Sequence, residues 1–120
     1  AEQGIGVIVP PNIVRFEDNQ PYVQAADLAS RGVAVALQSA AEDGARTLRE
    51  LGLSAVRRGA SPEDVLAALT THAATMYGLD EHIGAIAPGR DGDLVIFSGY
   101  PFDPGSAVER VILNGKDIHP

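Results

Sequence analysis

The chain has 120 residues, 45% of them hydrophobic, a net charge of −7 and a pI of about 4.7. That is enough for one domain with a modest core, while the basic residues, scattered apart from Arg57-Arg58, leave no electrostatic footprint for nucleic acid or an anionic membrane. Cysteine is absent, which excludes disulfides and thiolate metal sites, and the apolar runs are too short for a membrane span or a secretory leader, so the cytoplasm is the default expectation.

In chain order, Gly4-Ile5-Gly6-Val7-Ile8-Val9 is a β-branched apolar run halted by Pro10-Pro11, the pattern of a strand buried on both faces in a parallel sheet. Asn12 to Gln20 is polar and reads as a loop. Pro21 suits the first residue of a helix through Ser30, with Val23, Ala26, Leu28 and Ala29 inward and Gly32 past its end. A second buried strand follows over 33–37, completing a strand-helix-strand unit whose crossover is expected to be right-handed.

A helix is expected from about Asp43 to Arg58, because Ala45, Leu48, Leu51, Ala55 and Val56 recur at helical steps, with Arg57-Arg58 in the last turn and Gly59 beyond. Ser61-Pro62-Glu63-Asp64 starts the next, offering a capping hydroxyl, a proline in the first turn and an acid three residues on. Val65, Leu66, Leu69, Ala73 and Met76 form its apolar stripe, and Gly78 ends it.

The closing stretch is the most specific. Pro88-Gly89 sets a tight turn, since proline presets φ and glycine accepts positive φ. A strand is expected over 93–98, then a break at Pro101, Pro104 and Gly105, then a β-branched run from Val108 to Leu113 that stops at Asn114-Gly115, the commonest tight hairpin pair. Gly84-x-Ile86-x-Pro88-Gly89-Arg90-x-x-Asp93-Leu94-Val95, with its V-x-x-V-x-x-N-G ending, resembles the C-terminal signature of the amidohydrolase superfamily, and most closely its imidazolonepropionase-like branch. The run from Leu69 to Leu79 resembles the helix that leads into that signature.

The resemblance implies an α/β fold: the last strands and helices of a (β/α)8 TIM barrel, over 1–79, and the C-terminal strands of a small flanking β-domain, over 80–120. A complete barrel takes about 250 residues, so the chain is expected to be a fragment. Family members hold one or two divalent, zinc-like metals with histidines and carboxylates that generate a hydroxide for attack on a C–N bond. Most of those ligands are expected upstream of Ala1. The aspartate that ends the eighth strand falls after 33–37, where this chain has Gln38-Ser39-Ala40. Ala40 therefore occupies the expected metal-ligating position, and alanine can neither ligate nor accept a proton. Glu42 and Asp43 stand close by, but acids just ahead of a helix read first as partners of its dipole.

Other candidates weigh towards structural roles. His72 lies on the inward stripe of its helix and reads as a packed, hydrogen-bonded side chain; His82 and His119 have no second ligand at zinc spacing. Gly4-x-Gly6 lacks the third glycine of a dinucleotide fingerprint, and Ser39 and Ser54 lack the glycines of a nucleophile elbow. Asp91 and Asp93 read as local turn residues and Arg90 as a solvated charge. Tyr22, Tyr77, Phe97, Tyr100 and Phe102 read as exposed and too dispersed for base stacking, with Tyr100-Pro101-Phe102 suited to covering a seam between the two parts.

The expected function is that of the C-terminal part of an amidohydrolase-like hydrolase acting on C–N bonds of a small, non-peptide or cyclic amide. Neither catalytic nor metal residues are expected in this chain, which alone should be inactive and associate with the remainder of the barrel or with itself as a homo-oligomer. The alternative is a non-enzymatic module, stand-alone or from a split gene, for oligomerisation or partner binding.

Overall fold

The computed structural model describes residues 5–9, 14–17, 20–39 and 44–118. Strand β1 (Val7–Val9) runs parallel to β4 (Val35–Leu37), pairing Val7 with Val35 and Val9 with Leu37, and helix α1 (Gln24–Ser30) lies between them in the chain. Both strands are short and apolar, as the sequence predicts, and β1 is β-branched throughout. Val9, Ala25 and Val35 are buried together, with Val7, Leu28, Ala29 and Leu37 packed around them, so α1 and the strand pair share one small core.

The stretch before α1 differs from expectation. In place of a loop and a helix opening at Pro21, β2 (Val14–Glu17) and β3 (Gln20–Val23) form an antiparallel hairpin in which Phe16 faces Pro21, and the helix starts at Gln24. Proline fits a helix start and an edge strand equally, since both dispense with its N–H; in a pair of strands each one is an edge.

Helix α2 (Gly44–Arg57) ends where Gly59 turns with φ +96°, and α3 (Pro62–Leu69) begins on Ser61, whose Oγ accepts from the Asp64 N–H at 3.3 Å. The expected helix through Gly78 is broken at Thr70 (φ −129°, ψ −89°), and α4 (Thr71–Met76) continues after it. The Thr70 hydroxyl donates to the Leu66 carbonyl at 2.7 Å, a local bond that competes with helix continuation. The break changes the buried face: Val65, Ala68 and Ala74 are buried, whereas Leu66 is exposed. Gly84 (φ +90°) packs onto this break, with its missing Cβ directed 2.6 Å from Ala74 Cβ and 3.1 Å from the Thr70 carbonyl oxygen. Gly6 likewise yields its side-chain space to Met76 of α4.

The closing stretch forms an antiparallel sheet in the order β5 (Leu94–Phe97), β6 (Val108–Leu113), β7 (Lys116–Asp117), with an irregularity in the β5–β6 register at Ile96/Phe97. Asn114 (φ +50°) and Gly115 (φ +73°) form the two-residue turn between β6 and β7, matching the paired positive-φ residues of a type I′ hairpin. Gly89 has φ +85°, as the Pro88-Gly89 turn requires.

One device orders the segment leading into this sheet unit and a second ties the unit to α2. The segment from His82 to Asp91 is closed on itself: the Asp91 N–H donates to the His82 carbonyl at 2.8 Å, and Arg90 Nη1 donates to the Ile83 carbonyl at 3.1 Å. Arg90 is thus a loop clasp and not a solvated charge. The second device is Arg49 of α2, which donates to the carbonyls of Pro101 (2.8 Å), Asp103 (3.1 Å) and Ser106 (2.6 Å), with its guanidinium carbon 5.3 Å from the centre of the Phe97 ring. Phe102, expected to be exposed, is buried against Gly52 of α2 and meets Tyr100 edge to face at 5.9 Å. The segment thus packs on α2 through Phe102, and the expected exposure of that ring is not found.

Candidate functional site

Parallel strands end on one common edge, and in α/β folds chemistry collects at the carboxyl ends. Here that edge is formed where Val9 and Leu37 lie side by side, and the Gln38 N–H donates to the Val9 carbonyl at 3.1 Å. Gln38 is exposed and Ser39 half-buried at this position. Ala40, Glu42 and Asp43 follow directly in the chain and lie outside the described residues, as does His119.

The histidines do not converge on this edge. His72, on α4, is half-buried with Nδ1 3.1 Å from the Val35 carbonyl oxygen. A carbonyl only accepts, so Nδ1 carries the hydrogen. Val35 opens β4, which places His72 at the amino end of the strand pair and away from its carboxyl edge. The packed, hydrogen-bonded reading of this histidine fits that geometry. His82 is exposed on the closed 82–91 segment.

Metal chemistry needs several imidazole or carboxylate donors brought to one point. Among the described residues there is no group of three or more histidine, aspartate or glutamate side chains placed to hold an ion. Gln38 and Ser39, neutral donors at the carboxyl edge, do not supply one either. The described part of this chain therefore does not fit a divalent metal on its own.

The carboxylate at Asp93 works over a longer range than a local turn residue. Its Oδ1 accepts from the Asn114 N–H at 2.8 Å, and the neighbouring Gly92 carbonyl accepts from the Gly115 N–H at 2.9 Å. These two bonds tie the entry of β5 to the β6–β7 turn. Gly92 must be small for this approach, because a Cβ there would stand 3.0 Å from the Gly115 nitrogen. Nothing in residue spacing pointed to this clasp or to Arg49, since each joins segments far apart in the chain.

On the helical side, a groove of about 240 Å³ runs between α1, β4, α2 and α3, lined by Ala29, Val35, Ala55, Ala60, Val65 and Ala68. Its volume follows from the run of alanines on facing helices. It offers space without paired acid and base groups.

The model of the amidohydrolase family matches residues 21–118. The chain belongs to the amidohydrolase family. Its resemblance to that family, carried by the run from Gly84 to Val95, is borne out. A crystal structure of an amidohydrolase from Thermotoga maritima MSB8 superimposes on 99% of this chain with a TM-score of 0.81 and 35% identity, using 32% of that chain. The chain is 29% identical to an imidazolonepropionase from Parabacteroides distasonis over 97% of its own length and 30% of the relative's. An imidazolonepropionase from Shouchella clausii is 33% identical over 81% of this chain and 22% of its own length. The amidohydrolase segment described here thus spans less than a third of the relatives it matches. Its α/β architecture is shared with the solved amidohydrolase. Among its described residues no helix is long and apolar enough to cross a membrane.

Proposed function

We propose that this chain is the C-terminal part of an amidohydrolase that hydrolyses a C–N bond in a small cyclic amide, the reaction class that the name of its imidazolonepropionase relatives indicates. The observation that carries this reading is the match of the family to residues 21–118 together with the superposition of nearly the whole chain on less than a third of a solved amidohydrolase. In this reading 1–79 contributes the last two strands of a TIM barrel, β1 and β4, with their helices. Residues 80–120 contribute the closing strands of a flanking β-domain.

A divalent metal supplies the activated water in such a site, and its ligands come from outside the described residues. Ala40 takes the place of the aspartate at the end of the last barrel strand, so this chain provides scaffold at that point and not a ligand. The large apolar side chains left exposed support a larger surrounding protein: Ile86 is 88% exposed, and Val95, Leu113 and Ile118 are about half exposed. The partner that covers them is the remainder of the barrel, with self-association when the chain is alone.

The test is a paired assay of ring-opening hydrolysis on cyclic amides, with the 120-residue chain alone and with the polypeptide that supplies a full barrel, each with added zinc. Turnover requiring the full barrel supports the reading. Turnover by the isolated chain overturns it, and a metal-free, inactive full-length protein replaces it with a non-enzymatic binding module.

A further inference from the structure

Asparagine followed by glycine is the dipeptide in which the side-chain amide is most open to attack by the next backbone nitrogen, since glycine places no side chain in the way. Asn114-Gly115 is such a pair, both residues exposed, at the turn between β6 and β7. Both backbone nitrogens of the pair are engaged. The Asn114 N–H donates to Asp93 Oδ1 at 2.8 Å, and the Gly115 N–H donates to the Gly92 carbonyl at 2.9 Å. Attack on the Asn114 side chain requires the Gly115 nitrogen to leave its acceptor, lose its proton and swing towards Cγ. The fixed turn, with φ +50° and +73°, opposes that rotation.

We propose that Asn114 is a self-modification site gated by the Gly92-Asp93 clasp: the closed hairpin preserves the amide, and opening converts it to aspartate or isoaspartate. The Gly115 nitrogen gives up its proton and forms a bond to Asn114 Cγ. The Cγ–Nδ2 bond breaks, and ammonia leaves with the proton. Water then opens the resulting succinimide at either carbonyl, giving aspartate or isoaspartate at position 114. The reaction consumes water alone. Isoaspartate lengthens the backbone of a two-residue turn, and either product sets a new carboxylate close to that of Asp93. An isoaspartyl turn cannot then reclose in its original form, so that product is a lasting mark of opening.

The full-length protein carrying this chain is aged in mildly alkaline buffer, folded and in denaturant, and the peptide containing Asn114 is followed by mass spectrometry with separation of the isoaspartyl form. Folded protein should convert much more slowly than denatured protein. Asp93→Ala should accelerate conversion in the folded state about tenfold, the factor expected for losing one hydrogen bond to a charged group. Asp93→Asn, whose amide oxygen still accepts, should stay near the parent rate. Equal rates for folded and denatured protein overturn the proposal. So does a slower rate in Asp93→Ala, which would make that carboxylate the base that promotes attack. If Asp93→Ala does not fold, Gly92→Ala decides: its added Cβ would stand 3.0 Å from the Gly115 nitrogen and press on the turn, and an unchanged rate in that variant overturns the gating.

Discussion

Gly52, in the middle of α2, leaves the space that Phe102 fills: a Cβ at Gly52 would stand 2.6 Å from Phe102 Cε1. A glycine inside a helix costs about 1 kcal/mol relative to alanine, and here that cost is offset by burial of an aromatic ring that is 5% exposed. Phe102→Ala should lower stability by about 3 kcal/mol. Gly52→Ala should also destabilise, because overpacking costs about 1–3 kcal/mol and outweighs the helix propensity gained. Denaturant midpoints check both; a gain in Gly52→Ala would show that the ring is not held there.

Arg49 joins α2 to three carbonyls of the segment between β5 and β6. Arg49→Ala should cost about 2 kcal/mol, since hydrogen bonds from a charged group are lost and the carbonyls are left with fewer partners. Arg49→Lys should restore little, because an ammonium lacks the planar fork that reaches several acceptors at once. Hydrogen exchange across 98–107 should rise in both variants. Protection unchanged in Arg49→Ala would assign the docking to Phe102 alone.

Gly84 and Gly89 both have positive φ but differ in surroundings. A Cβ at Gly84 meets Ala74 and Thr70, whereas nothing lies within 4 Å of one at Gly89. Gly84→Ala should therefore combine strain with overpacking and cost about 3 kcal/mol. Gly89→Val should cost on the order of 1 kcal/mol or more from backbone strain alone. Thermal midpoints that rank the two in the opposite order would mean that the 82–91 segment shifts off the Thr70 break.

Ala40→Asp in the full-length protein should raise zinc content, measured by elemental analysis after dialysis, because it restores a carboxylate donor of the type such metals take. Glu42→Ala and Asp43→Ala should leave metal content unchanged if these acids serve the dipole of α2. Loss of metal in either would make that acid the substitute ligand.

Where a feature depends on the chain's own near neighbours, it is legible in the residues. The Ser61 cap with Pro62, the glycines that end α2 and α4, the Pro88-Gly89 turn and the Asn114-Gly115 hairpin each follow from which φ a residue tolerates and which N–H it can satisfy. The strands β1 and β4 follow from short, uninterrupted apolar runs. Family membership was readable for the same reason: the closing signature is a dense series of turn and strand residues whose spacing is local.

Other features required residues remote in sequence to meet. Pro21 is compatible with a helix start and with an edge strand, and only pairing with the segment 14–17 settles it as a strand. The helix break at Thr70 depends on the Leu66 carbonyl and on where Gly84 packs. Phe102 is buried because Gly52 is vacant, and Asp93, Arg49 and Arg90 find acceptors or donors that no periodicity marks. At the candidate site the sequence sets only an expectation, an aspartate position that Ala40 would fill, and that residue lies outside the described ones. The parallel pairing of β1 with β4 brings Gln38 to the shared edge, because in-register strands must end together.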